Sequence, residues 1–164
     1  MKIVNGSVRP MALSSMYESE KKWNQRFMEL AEHVASWSKD PSTKVGAVIV
    51  SGKEVLSLGY NGFAPRTPDR ESYLNNRDEK YPRVIHAEVN AILRLDKRFR
   101  PPQPLQMFVT HLPCSSCASI IIAAGITEVI AKRPSKDMLK RWPGMNKTEI
   151  LFGEARVQLS LLDK

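Results

Sequence analysis

Met107-Phe108-Val109-Thr110-His111-Leu112-Pro113-Cys114-Ser115-Ser116-Cys117 is the stretch whose reading decides the fold. Met107 to Thr110 is an apolar, β-branched run and reads as a strand. Pro113 then suits the first turn of a helix, where its missing N–H has no helical partner. That helix runs to Gly125, a good C-terminal stop, and Glu128 to Ala131 is the next strand. Strand, helix, strand is an α/β unit.

Working outward confirms the class. A helix begins near His86 and carries Ala87, Val89, Ala91, Ile92 and Leu95, followed by a basic, proline-rich turn from Lys97 to Pro104. Further upstream, Val45 to Val50 and Val55 to Tyr60 read as two strands joined at Gly52-Lys53, a hairpin. A long polar connection, residues 61–83, separates the hairpin from the His86 helix, and a connection of that length is usually functional or partly disordered. From about Glu18, Trp23, Phe27, Leu30, Ala31, Val34 and Trp37 recur at helical spacing, and Pro41 ends that helix. Residues 1–16 show no sustained period and read as an extended arm or an ordered tail, at a subunit contact. At the other end, Ser135 to Trp142 reads as a short helix and Arg156 to Leu162 as a last strand or helix. The expectation is one α/β domain over residues 1–164, with helices packed on a mixed sheet.

Composition narrows the function classes. No apolar run reaches membrane-spanning length; the longest, Ala118 to Ala124, is interrupted by Ser119. With no apolar leader at the N-terminus, the expectation is a cytoplasmic protein, in a bacterial cell or a phage-infected host, without a membrane partner. The net charge of +8 favours an anionic partner, either a phosphorylated small molecule or nucleic acid. The two cysteines, two residues apart on a helical turn, are poorly placed for a structural disulfide, and such spacing marks a metal or redox pair.

The chemistry gathers in two segments, His86-Ala87-Glu88 and Pro113 to Cys117. Cys114 and Cys117 share one side of a first helical turn, where free N–H groups and the dipole favour thiolates. His86 starts its own helix in the same way, so two helix N-termini can meet around one zinc ion. Three protein ligands leave the fourth tetrahedral position open, the mark of a catalytic zinc, which activates a water as nucleophile. Glu88 lies close to the metal without being needed as a ligand and can carry protons between water, base and leaving amine. His111 competes with His86 as the third ligand, but it ends a strand and has no carboxylate beside it. His33 has no partner signature and reads as a surface or packing residue.

The pattern H-x-E followed by P-C-x-x-C is the signature of the zinc nucleobase deaminases. Around it, Ser38 to Ala47, Gly59-Tyr60-Asn61-Gly62, Lys80-Tyr81-Pro82, His86 to Ile92 and Gly125-Ile126 make the chain resemble the deoxycytidylate (dCMP) deaminases of bacterial or phage type, over roughly residues 20 to 135. The resemblance implies a three-layer α/β/α cytidine deaminase-like fold on a five-stranded mixed sheet, often assembled as a homo-oligomer, a hexamer. It implies hydrolytic deamination of dCMP to dUMP and ammonia with one zinc per subunit. By the same resemblance Asn61 contacts the sugar, and Glu88 contacts the base while shuttling protons. Backbone groups near Ala87 and Leu112 hold the pyrimidine. Lys39, Ser42, Thr43 and Lys44 meet the 5′-phosphate, although helix termination and surface charge account for these four equally well. Gly59, Tyr60, Asn61 and Gly62 form a segment where dCTP activates and dTTP inhibits many relatives.

Three departures from that pattern shape the expectation. No cysteines are spare for the second, structural zinc of some phage members. His111 stands where an aliphatic residue is common. Lys132-Arg133-Pro134-Ser135 lacks a tyrosine that many relatives place near the substrate, which leaves dCTP and 5-substituted dCMP open as substrates. Two rivals remain. One is a tRNA adenosine deaminase, using Arg94 to Arg100 and Lys132 to Arg141 along a nucleic-acid backbone. The other is a zinc-containing nucleotide sensor without catalysis, against which the intact Glu88 argues.

Overall fold

Alternation along the central strands sorts the interior into two cores, one on each face of a sheet. The computed structural model describes residues 10–96, 98 and 103–163. Its first half runs α1 (Pro10–Ala35), β1 (Gly46–Ser51), β2 (Glu54–Tyr60), β3 (Gly62–Phe63), α2 (Glu71–Asn75), α3 (Arg77–Lys80), β4 (Val84–Ile85) and α4 (Ala87–Arg94). The second half runs β5 (Leu105–Val109), α5 (Ser115–Ala123), β6 (Glu128–Lys132), α6 (Lys136–Arg141), a 3₁₀ turn (Pro143–Lys147), α7 (Thr148–Glu154) and β7 (Gln158–Leu162). The main sheet has five strands in the order β2-β1-β5-β6-β7. β1 pairs antiparallel with β2 and β5, whereas β5, β6 and β7 are parallel, so the sheet is mixed as expected.

Val48, Val50, Phe108 and Ile130 point to one face and pack on Phe27, Met28 and Ala31 of α1. Their neighbours Ala47, Ile49, Met107, Val109, Val129 and Ala131 point to the other face and meet Ala87, Ala91, Ala118, Ile121 and Phe152 of α4, α5 and α7. This is the period of two that a pleated strand imposes, and helices on both faces explain why β1 is buried at every residue. Each fully buried aliphatic or aromatic side chain here is worth roughly 1.5–3 kcal/mol, so the β1–β5–β6 centre is the rigid frame of the domain. Two glycines close the ends of elements. Gly52 (φ 60°) turns the β1–β2 hairpin, and Gly125 (φ 77°) stops α5.

The structure departs from the sequence reading in four places. The first helix begins at Pro10 rather than Glu18, so residues 10–16 are not an extended arm, and residues 1–9 lie outside the described residues. Periodicity reports burial, and the early turn carrying Met16 and Tyr17 is exposed, so it leaves no period to read. The 61–83 connection is built, not loose: β3 pairs with β4, and α2 and α3 stand between them. Pro113 lies just outside α5, whose N-cap is Cys114. The C-terminal stretch holds a 3₁₀ turn and α7 before a true strand, β7.

Candidate active site

His86 is the N-cap of α4 and Cys114 the N-cap of α5, both in extended backbone, with Cys117 one turn further on. The two helix starts converge. His86 Nδ1 lies 3.3 Å from Cys117 Sγ and 3.8 Å from Cys114 Sγ. A tetrahedral zinc at its usual bond lengths separates a nitrogen from a sulfur by about 3.5 Å, so these spacings fit one ion. Among the described residues this is the one group of three side chains able to hold a metal, and His111 is not part of it. The donor set is open on one side: Cys117 is buried, Cys114 is half-buried, and His86 opens onto a cavity. The buried Thr148 hydroxyl donates to the Pro113 carbonyl at 2.7 Å, fixing α7 against the start of α5.

The electrostatics are those of a site waiting for a cation. Hydrogen bonding from the Cys117 thiol, with His86 nearby, holds the Cys114 thiol down at about 4. Cys117 is pushed up because it donates that bond and is buried beside Glu88. The Cys114 sulfur in turn raises the His86 imidazole. A divalent ion among the three displaces these protons and makes both sulfurs thiolates. Glu88, in the first turn of α4 and 4% exposed, is pushed above the ordinary carboxylate range by burial. A carboxyl so raised is a stronger base than an exposed one and is suited to accept and return a proton.

The cavity in front of this cluster has a volume of ≈ 760 Å³. Of the sequence-derived candidates, Asn61, Ala87, Glu88, Leu112, Ser42 and Thr43 line it. Asn61 is also a staple: its Oδ1 accepts from Val45 N–H (2.8 Å) and its amide donates to the Thr43 carbonyl (2.9 Å). One N–H and one lone pair of that amide remain for a ligand. Lys39 and Lys44 do not line this cavity. Lys39 is held by Asp69 at 2.6 Å on the surface, and Lys44 lines a second, smaller cavity with Lys132 and Arg133. His111 lines both cavities, and its Nδ1 is 3.3 Å from Thr110 Oγ1.

The cations that do line the main cavity are Arg77, Lys80 and Arg141; the sequence reading passed over Arg77, took Lys80 only as part of the family resemblance and placed Arg141 only in the basic stretch of the nucleic-acid rival. Lys80 reaches Asp40 Oδ1 at 3.1 Å and Ser42 Oγ at 2.8 Å, both across from α3. Burial raises Asp40, but N–H groups of Ser42 and Thr43, the Ser42 hydroxyl and Lys80 outweigh it and leave its carboxyl below the usual range. The available signal was the length and charge of the 61–83 connection.

Comparison with known proteins bears directly on this site. Residues 21–133 match the family model described as the cytidine and deoxycytidylate deaminase zinc-binding region. The chain belongs to the cytidine and deoxycytidylate deaminase family. It is 39% identical over 142 residues to an uncharacterized deaminase in the luxG 3′ region of Aliivibrio fischeri, covering 86% of this chain and 94% of that one. It is 41% identical over 114 residues to human deoxycytidylate deaminase, covering 66% of this chain but only 63% of the human protein's length. The structure also resembles a cyanophage S-TIM5 dCMP deaminase solved with dCMP and dUMP, with a TM-score of 0.66, 25% identity, and coverage of 86% of this chain and 97% of that one.

In this deaminase, therefore, His86, Cys114 and Cys117 are the side chains that would hold one zinc ion. The five-stranded α/β/α fold expected from the sequence is the observed one. No described helix is long and apolar enough to cross a membrane.

Proposed function

We propose that this deaminase removes the 4-amino group of dCMP by hydrolysis, giving dUMP and ammonia. The observation that carries the reading is a buried Glu88 carboxyl beside an open-sided His–Cys–Cys cluster, on the wall of a cavity that also holds arginines. The relatives named above support the choice of a deoxycytidine nucleotide. Zinc in this donor set supplies the Lewis acidity that brings a water's ionisation near neutral pH. Glu88 takes one proton of that water and passes it to the ring N3, then takes the proton of the hydroxyl formed at C4 and gives it to the amine, which leaves as ammonia while the C4 carbonyl forms. Ala87 and Leu112, at the cavity wall, orient the pyrimidine through their backbones, and the remaining amide donor of Asn61 meets the sugar.

The same reading includes regulation by dCTP and dTTP and assembly into a homo-oligomer, a hexamer, in the cytoplasm of a bacterial cell or phage-infected host. Gly59 to Gly62 is well placed to transmit an effector: the Asn90 amide donates to the Tyr60 carbonyl at 2.8 Å, tying this segment to α4 and so to His86 and Glu88.

The test is a panel of dCMP, dCTP, CMP, deoxycytidine, 5-methyl-dCMP and tRNA, assayed with and without dCTP and dTTP, on the wild type and Glu88→Gln. The expected result is preferred turnover of dCMP, lost by at least about 100-fold in Glu88→Gln with zinc retained. Deamination of tRNA with dCMP untouched would refute the substrate, and no turnover of any cytosine nucleotide would refute the activity. A flat response to both effectors would remove the regulation.

A further inference from the structure

Three cations line the cavity, and their partners differ. Lys80 is neutralised by Asp40, with both side chains largely buried at 11% and 8% exposure. Among the described residues, neither Arg77 nor Arg141 forms an ion pair. Arg77 is stacked instead: its guanidinium carbon lies 4.8 Å from the Tyr81 ring centroid and 5.9 Å from that of Trp142. The two rings are themselves 5.8 Å apart, so α3 and the end of α6 are clasped across the cavity wall. A guanidinium held by its face keeps its N–H edge for a ligand and loses little entropy on binding one. Arg141 is the chain neighbour of Trp142 and lines the same cavity.

Outside the metal-ligand cluster, the surplus charge on the wall is thus two guanidiniums. A phosphate monoester carries about −1.5 to −2 near neutral pH, which two arginines balance, whereas a free nucleoside offers them nothing. A triphosphate brings more negative charge than they neutralise. We propose that Arg77 and Arg141, ordered by the Tyr81–Trp142 pair, are the specificity-determining residues that select a nucleoside 5′-monophosphate. The proposal rests on the deamination reading above for the base, but not for the anion. Arg141 and Trp142 lie beyond residue 133, where the family match ends. Phosphate selection is then supplied in part by this chain's C-terminal helices and not by the shared zinc-binding region alone.

The test is calorimetric titration of the zinc-loaded protein with dUMP and with deoxyuridine, paired with kcat/KM for dCMP, dCTP and deoxycytidine. Variants are Arg77→Gln, Arg141→Gln, the double change, Arg77→Lys, and Arg98→Gln as a charge-matched control at a surface residue paired with Asp96. The preference for dUMP over deoxyuridine is expected to fall about tenfold in each single Gln variant and further in the double, with the dCMP-to-deoxycytidine ratio falling in step. Arg77→Lys recovers part of the loss, and Arg98→Gln keeps the wild-type preference. Equal binding of dUMP and deoxyuridine by the wild type, an unmoved preference in the double variant, or a preference for dCTP over dCMP would each overturn the proposal. If the wild type turns over nothing, yet the dUMP preference is present and collapses in the double variant, the deamination reading fails while the phosphate selection stands.

Discussion

Replacing Gly59 by alanine places a methyl group where β2 crosses α4. A Cβ at Gly59 would sit 2.3 Å from the Ala87 carbonyl oxygen and 2.3 Å from the Ala91 nitrogen, with Ala91 Cα at 2.9 Å. Ordinary contact begins at 3.4 Å, so the deficit is about 1.1 Å, and every atom met belongs to backbone that cannot swing aside. The relief available is a shift of α4 away from β2 by about 1 Å. That helix starts at His86 and holds Glu88, while Cys114 and Cys117 ride on α5, so the shift pulls the imidazole off the two sulfurs. Overpacking of this kind costs about 1–3 kcal/mol, and a misplacement of about 1 Å at a reacting group costs about 100-fold in rate. Gly62, three residues on in the same segment, is the control: its Cβ would meet only Tyr60 Cε2, at 3.9 Å. Gly59→Ala is therefore expected to lower kcat/KM about 100-fold, lower the urea midpoint and weaken zinc retention, with Gly62→Ala close to wild type. A fully active Gly59→Ala protein, or equal damage at both glycines, would refute the packing reasoning.

Two further outcomes are expected. His86→Ala should abolish zinc and activity together, as read by metal analysis after gel filtration, because only two thiolates remain; a variant retaining one zinc per chain would move the third ligand elsewhere. Asp40→Asn leaves Lys80 buried and uncompensated, at a cost of about 3–5 kcal/mol at neutral pH in urea unfolding. Because the folded Asp40 carboxyl lies below its ordinary 3.8, the wild-type advantage is full above that pH and is lost as pH falls through the lower folded value. An advantage that instead grew on acidification would show that Asp40 is not the stabilising carboxylate.

The metal site was legible because its parts are local. His86 and Glu88 stand at one helix start and Cys114 and Cys117 at another, and donor chemistry at helix N-termini needs no knowledge of distant packing. The strands were legible for a similar reason, since burial on both faces leaves unbroken apolar runs such as Val48 to Val50. The cations of the cavity wall were not. Lys39 and Lys44 are near in sequence to the first strand, yet one is turned to Asp69 and the other to a different cavity.

By itself, then, the sequence picked out the group able to hold a metal, the proposed proton carrier and the α/β class, each through spacing within a single element or between elements that meet at their ends. Only the tertiary structure decided which cations face the cavity beside the metal-ligand group. Arg77 comes from the short, charged helices of the 61–83 connection and Arg141 from a helix beyond the family's matched region, and neither belongs to a periodic or motif pattern. The cavity wall they share is held together by the Asp40–Lys80 pair and the Tyr81–Trp142 contact, which link segments 40 and 61 residues apart. Such contacts are selected by shape and charge in the assembled fold, and no local propensity encodes them.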